Sequence, residues 1–407
     1  MIRVSNLRKE SLPQTNECRI VCDIDCSFSD ARELWFSVPG KFGDWLTDDV
    51  YDAFMVAMLF PAMYYKEDLI IKGSVSEKLY DNITNYVQHC EKAYLPYLHE
   101  INVSVDGFMT ANKTDHLVGT GFSAGIDAFS TLYDRFEREQ KPNYKLSALF
   151  FFNVGSHGGG GDRARKKFMT RYNYLLPLVD DLGLPFVPLD SNLFDFYQFE
   201  WEYDAGVLCR STGILVFEKV LDKYYVAYDY SYWEIVYMTA ADYASITDMC
   251  NDYLLGTETL DIIVDGTQYR RSEKTINLLE YQPFLKYLNV CVSQSASAKN
   301  CSACHKCKRT LLTLDILNKL EDSREIFNIE RFKQRRFAYK CYTVLHRNSD
   351  IYAHDNCQLA KKMNYSMPPY IIAWLYMSPT IVKKTLKRIV KAVLRKNSKA
   401  ADRHYPV

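Results

Sequence analysis

The residues best suited to chemistry in this 407-residue chain are four cysteines, Cys291, Cys301, Cys304 and Cys307. The last three are spaced two residues apart, and each Cys-x-x-Cys turn brings two sulfurs to a common point. With a fourth thiolate from a neighbouring segment, this makes a tetrahedral, closed site of the kind that structural zinc takes. His305 lies inside the run and offers an alternative ligand to one of the cysteines. The same spacing is compatible with an iron–sulfur cluster, and uncoordinated or redox-active thiols are the remaining alternative; a thioredoxin-like pair lacks its usual context. Cys18, Cys22, Cys26, Cys90, Cys209, Cys250, Cys341 and Cys357 have no such spacing and read as ordinary residues.

A second stretch, Gly119-Thr120-Gly121-Phe122-Ser123-Ala124-Gly125-Ile126-Asp127-Ala128-Phe129-Ser130-Thr131, reads as a strand that ends in small residues and opens directly into a helix. Ser123, Ala124 and Gly125 let the backbone pass close to a ligand. The first helical turn then aims unpaired N–H groups and the positive dipole end at that point, so an anion such as a phosphate is stabilised there. A plain packing turn has the same local pattern. The loop Asn153-Val154-Gly155-Ser156-His157-Gly158-Gly159-Gly160-Gly161-Asp162 is glycine-rich enough for a flap or a close backbone approach, or for a simple surface connection. Arg163, Arg165, Lys166 and Lys167 follow at a helix start, where positive charge is unfavourable unless an anion or solvent compensates it. His157 is a candidate proton-transfer group.

The elements that position these residues alternate. Residues 116–122 fit a buried parallel strand, and residues 126–136 have helical apolar spacing at Ile126, Phe129, Leu132 and Phe136. Strands are expected over 146–154, 185–190, 224–228 and 259–264, with helices over 163–182 and 206–220. This order predicts an α/β fold with a doubly wound parallel sheet, in which ligands sit at the carboxyl ends of the strands. Upstream, strand-like runs over 18–25, 33–38, 68–72 and 100–106 and helices over 50–60, ended by Pro61, and 79–95 predict an α+β N-terminal module. It carries no ligand-like cluster and reads as a substrate-shaping or oligomerisation element. The expected division is a module over 1–112, an α/β domain with the cysteines over 113–320, and a helical C-terminal region over 321–407.

The composition supports a large core, with 48% apolar residues, 31 Tyr and 22 Phe. The 50 basic and 50 acidic residues balance, which argues against a nucleic-acid-coating protein. Residues 1–13 carry charges without an apolar signal region, and no stretch is long enough to span a bilayer, so the cytoplasm is the expected compartment. Residues 379–407 hold nine cations and one acid, hence 9 − 1 = +8. Ile381, Val382, Leu386, Ile389, Val390, Val393 and Leu394 repeat there at helical spacing. A basic amphipathic helix over 381–399 suits either an anionic membrane surface or docking on an acidic partner, the chain's own body included.

With both chemical stretches in view, the sequence resembles a known family. Ser123-Ala124-Gly125-Ile126-Asp127-Ala128 resembles the Ser-Gly-Gly-x-Asp-Ser pyrophosphate loop of N-type ATP pyrophosphatases, and Cys291, Cys301, Cys304 and Cys307 are similar to the zinc cysteines of the 7-cyano-7-deazaguanine synthase branch. The segment 265–275, followed by Cys291 and residues 300–310, is similar to bacterial synthase-like proteins, and the resemblance covers residues 115–320. It implies an adenine nucleotide α-hydrolase (HUP-like) fold, with ATP, Mg2+ and Zn2+ as cofactors. It also implies cleavage of ATP between its α- and β-phosphates, transfer of AMP to an oxygen of a small-molecule substrate, and displacement of AMP by a nucleophile such as ammonia.

The resemblance further implies that Ser123 and the N–H groups of residues 124–128 hold the departing phosphates. Asp127 would orient the loop or a Mg2+ ion, and Asn153, Gly155 and Ser156 would line the nucleotide side. Arg270, Arg271 and Lys274 would stabilise charge, which makes Asp127, Arg271 and Lys274 the expected catalytic residues. Two positions depart from the pattern: Ala124 replaces a glycine, and Ala128 replaces the final serine, with Ser130 or Thr131 as nearby hydroxyls. The functional expectation is an AMP-forming amidating ligase. The alternatives are a nucleotide-binding regulatory or assembly protein without turnover, and an ATP-dependent sulfur transferase. Self-association is left open.

Overall fold

The segment Ala-Leu-Phe-Phe-Phe at residues 148–152 is buried along almost its whole length, as a strand inside a covered sheet requires. It belongs to one ten-stranded sheet in a computed structural model that describes residues 1–155, 157, 160–198, 204–237, 245–292 and 299–379, without the side chains of 236–237 and 245–248. Residues 1–289 form one compact unit, and residues 290–292 with 299–379 form a second.

The first unit opens with β1 (Ile2–Leu12), β2 (Glu17–Asp25) and β3 (Glu33–Pro39), followed by α1 (Asp52–Tyr65) and β4 (Leu69–Val75). Then come α2 (Glu77–Asn82), a π turn (Ile83–Val87), α3 (Gln88–Tyr94) and β5 (Val103–Phe108). The alternating part follows: β6 (Leu117–Gly121), α4 (Ile126–Leu132) running on into a π turn (Tyr133–Arg138), β7 (Ala148–Phe152), α5 (Gly161–Leu182), β8 (Phe186–Ser191), α6 (Gly206–Leu215) and β9 (Leu221–Ala227). The unit closes with α7 (Tyr232–Tyr237), α8 (Ser245–Leu254), β10 (Asp261–Asp265), α9 (Arg271–Leu278) and α10 (Gln282–Tyr287).

The strand order is β10-β9-β6-β7-β8-β3-β2-β1-β4-β5. From β10 to β8 every pairing is parallel, so five carboxyl ends share one edge. The chain leaves β6 toward β7 and β8 on one side and later fills β9 and β10 on the other. The order therefore reverses beside β6, which is where doubly wound sheets bind ligands. The fold is thus α/β with a large, mostly parallel sheet, as the sequence predicts.

The N-terminal elements extend this same sheet. Strand β3 pairs antiparallel with β8, through Phe36 opposite Ser191 and Ser37 opposite Asp190, and the Trp35 N–H donates to the Asn192 side chain at 2.8 Å. The boundary expected near residue 112 falls inside the first unit, and that expected near 320 falls inside the second. Strand β1 escapes the sequence reading, although Ile2 and Val4 are buried; its charged residues hide the alternation. The basic segment 381–399 lies outside the described residues.

Pro61 does not end α1, contrary to expectation. A proline inside a helix strands the carbonyl four residues earlier. Here that carbonyl, on Ala57, accepts the Tyr197 hydroxyl at 2.7 Å. The helix is buried almost all round, so tertiary packing holds it together across the missing bond.

At the start of α1, Asp52 is fully buried, and its Oδ1 accepts the Ser76 N–H at 2.8 Å. Its carboxyl lies near the buried carboxyl of Glu218, which accepts the Thr257 hydroxyl at 2.6 Å. Burial, then the Glu218 charge, push Asp52 well above the usual carboxylate range. The folded state then holds a proton that the unfolded chain releases near pH 4, and stability falls as the pH rises above that value. Asp52→Asn keeps the hydrogen bond from Ser76 and should flatten this slope, whereas Asp52→Ala should cost about 1–3 kcal/mol. Urea unfolding midpoints between pH 5 and 9 check both expectations; an unchanged slope in Asp52→Asn would remove the buried proton.

Candidate functional site

The residues expected to form a phosphate loop, 123–128, lie where β6 hands over to α4. Ala124 takes a left-handed backbone with φ of +56°, and its carbonyl accepts the Asn289 N–H at 2.8 Å. A Cβ in this conformation costs about 1–2 kcal/mol, so the turn is held by its surroundings; the glycine of the resembling motif would adopt it freely. Gly125 is the N-cap of α4, and no side chain caps the helix. The N–H groups of Ile126, Asp127 and Ala128 belong to the first turn and have no carbonyl four residues back within the helix. Ser123 is exposed beside them, and Ala128 is buried.

Asp127 in that turn is paired twice, with Arg271 Nη1 at 2.5 Å and Lys274 Nζ at 3.1 Å. Both cations come from the first turn of α9, after β10. Lys274 has no exposed surface, and its ammonium also donates to the Tyr228 carbonyl at the end of β9. Three strand ends therefore meet through one ammonium and one carboxylate. Burial alone would raise the Asp127 pKa, but the Arg271 and Lys274 charges outweigh it and hold the carboxyl well below the usual carboxylate range. The charges sum to −1 + 2 = +1. An uncapped helix terminus with a surplus positive charge stabilises an anion.

One turn along α4, Thr131 Oγ1 donates to Asp265 at 2.8 Å, and Arg135 donates to the same buried carboxylate through Nε at 2.8 Å. The Thr131 hydroxyl is therefore engaged with β10 and does not replace the hydroxyl absent at Ala128. Ser130 is buried. Arg270, the third expected charge stabiliser, holds its guanidinium 3.9 Å from the Trp233 ring centroid.

At the end of β7, Asn153 Nδ2 donates to Asp190 at 2.7 Å, and the Asn153 carbonyl accepts the Ser191 hydroxyl at 2.8 Å. Arg165 pairs with the same aspartate. These contacts tie β7 to β8. Gly155 has φ of +117°, and a Cβ there would lie 2.4 Å from the Phe194 ring, so its small size serves packing against Phe194. Ser156, Gly158 and Gly159 lie outside the described residues. His157 is buried between Phe151 and Phe168. Burial, then the Arg171 and Lys167 charges, lower its pKa to about 3, so it is neutral at pH 7.

The second unit builds the cysteine site. Cys291 lies just upstream of the Cys301–Cys304 turn, and Cys307 lies in the first turn of α11 (His305–Ile316). All four sulfurs lie within 4.8 Å of one another, with Cys301 Sγ 3.9 Å from Cys307 Sγ. That is too long for a disulfide and close to the edge of a tetrahedron with metal–sulfur bonds near 2.3 Å, about 3.8 Å. A four-iron cluster would spread its thiolates over separate irons.

Successive backbone N–H groups point at sulfur: Cys301 N at Cys291 Sγ (3.4 Å), Cys304 N at Cys301 Sγ (3.2 Å) and Cys307 N at Cys304 Sγ (3.4 Å). A hydrogen bond from Cys307, with backbone N–H groups, lowers Cys304 to about 4 despite burial, while the same contact and burial raise Cys307. Without a metal, one thiolate is therefore favoured, at Cys304. The turn is held by Ser302 in the left-handed region (φ +56°), whose hydroxyl accepts the Asn328 N–H at 2.8 Å. The Arg331 guanidinium donates to the Cys301 carbonyl at 3.0 Å, and Asn300 Oδ1 accepts the Val290 N–H at 2.9 Å. The four cysteines could hold a metal such as zinc; His305 is exposed and stands outside the group.

No family model, curated protein or solved structure matches this chain.

The sequence reading therefore rests on the residues themselves. It identifies the loop, the cysteines and the cations Arg271 and Lys274, and the structure brings Asp127, Arg271 and Lys274 together. It misses Arg135, the Tyr228 carbonyl, and the supports Asn300, Asn328 and Arg331. A positive charge within the apolar spacing of residues 126–136 is a signal for Arg135. A carbonyl at a strand end has no sequence signal at all.

Proposed function

We propose that this chain binds ATP with its phosphates at residues 123–128 and cleaves it to AMP and pyrophosphate, adenylating a small-molecule substrate as N-type ATP pyrophosphatases of the 7-cyano-7-deazaguanine synthase-like branch do. The observation that carries this reading is the uncapped start of α4, placed where the strand order reverses and backed by the surplus positive charge of Asp127, Arg271 and Lys274. In this reading Ser123 and the N–H groups of Ile126, Asp127 and Ala128 receive the phosphates. Asp127 acts by fixing the two cations, because its carboxylate is already engaged by both; a Mg2+ ion would compete with them for it. Zinc at Cys291, Cys301, Cys304 and Cys307 is structural, since four thiolates close the coordination sphere. The same convergence argues against cysteines serving as sulfur carriers.

A second reading has its own support. Ala128 removes a phosphate-facing hydroxyl, and Ala124 holds a strained turn, both of which suit nucleotide binding without turnover. Incubation with ATP, Mg2+ and a panel of small carboxylates separates the two. Pyrophosphate release with any substrate supports the ligase. ATP binding without pyrophosphate, even in Ala128→Ser, supports the second reading, and absence of ATP binding sinks both.

A further inference from the structure

The helix over residues 370–379 of the second unit fully buries only Ala373 among its residues, which packs with Cys341 and Val344. Tyr370, Ile371, Ile372, Trp374, Leu375 and Tyr376 are each 43–67% exposed. Single exposed apolar residues are ordinary, but six large ones on two helical turns form a contiguous patch of the kind that marks an interaction site. Phe337, itself half-exposed, extends it by packing edge-on against Tyr376 at 5.0 Å.

The sequence around the patch indicates what covers it. Residues 363–382 contain no charged side chain, and the next stretch, 383–403, carries Lys383, Lys384, Lys387, Arg388, Lys391, Arg395, Lys396, Lys399 and Arg403 against Asp402. Aromatic residues that pair an apolar ring with a polar edge concentrate at the headgroup level of bilayers, and Tyr370, Trp374 and Tyr376 fit that setting. Clustered cations gain affinity near anionic lipid. No helix among the described residues is long and apolar enough to cross a membrane, so contact is interfacial.

We propose that the 370–376 face docks this chain peripherally on an anionic lipid bilayer, with the cations that follow it neutralising headgroups. The proposal is independent of the nucleotide reading. The test is co-sedimentation of the full chain with phosphatidylcholine vesicles, with and without phosphatidylserine, at low and high salt. The expected result is binding to the mixed vesicles that is weakened by salt, at least about tenfold weaker binding to the neutral ones, and a loss of about tenfold or more in Trp374→Ala/Leu375→Ala. Both side chains are exposed, so thermal unfolding of the double variant should match the wild type. Absence of binding to mixed vesicles overturns the proposal, as does undiminished binding of the double variant. A double variant that turns an oligomer into a monomer in ultracentrifugation with unchanged vesicle binding assigns the face to a second copy, and overturns it too.

Discussion

Replacing Cys307 by serine is expected to reduce bound zinc from about one ion per chain to none and to unfold the second unit. Cys307 lies in the first turn of α11, is fully buried, and supplies the sulfur 3.9 Å from Cys301. Around the site, the segments are tied by the turn itself, Asn300, Ser302 and Arg331. Structural zinc contributes its binding energy to folding, about 10–16 kcal/mol in small zinc modules, so loss of one ligand should exceed the stability that a typical domain has to spare. Metal content by mass spectrometry and thermal unfolding before and after chelation check this. Cys341→Ser, in the same unit but outside the cluster, should keep its zinc. A Cys307→Ser variant that retains stoichiometric zinc and an unchanged unfolding temperature would refute the metal centre, and iron with a visible charge-transfer band would replace zinc by a cluster.

The second large effect is expected at Asp127. Removing its carboxylate in Asp127→Ala takes this ion-pair partner from Arg271 and the fully buried Lys274, and breaking a buried pair in this way costs about 3–5 kcal/mol. The same change should abolish nucleotide binding, because α9 and the first turn of α4 are joined through this carboxylate. Lys274→Met is informative beside it: one cation and the carboxylate remain paired, so the fold suffers less while the local charge falls from +1 to 0. A variant that folds but binds ATP weakly separates the electrostatic role from the structural one. Unfolding midpoints with calorimetric ATP titration report both; normal ATP affinity in a folded Lys274→Met would disprove the role of the positive surplus.

The acid response follows from the same pair. Asp127 is held below its ordinary value, so its contribution is complete above about pH 4 and is lost as the pH falls through the depressed value. Stability from this site should be flat between pH 5 and 8. Asp52 works in the opposite sense, losing stability as the pH rises, because there burial favours the proton.

Much of the α/β half was readable because its signals are local. Residues 148–152 are apolar throughout, residues 126–136 repeat at helical spacing, and the small residues 123–125 mark the turn between strand and helix. The failures occur where a distant residue overrides a local rule. Pro61 reads as a helix end, yet Tyr197, more than a hundred residues away in sequence, takes up the carbonyl it strands. Thr131 reads as a hydroxyl beside the phosphate loop, yet Asp265 captures it.

The sequence by itself determined the chemistry available to this protein: four thiolates at zinc spacing, a small-residue turn opening a helix, two cations after β10, and an uncharged aromatic segment followed by a basic one. These follow from residue type and spacing, which the chain carries whatever its fold. Only the tertiary structure decided which groups meet. Parallel pairing places the ends of β6, β9 and β10 on one edge, and from there Lys274 reaches both Asp127 and the Tyr228 carbonyl. It also joined the N-terminal strands to the parallel part of the sheet through β3 and β8. A strand edge presents the same row of N–H and C=O groups whatever its side chains, so strand sequences alone do not name their neighbours.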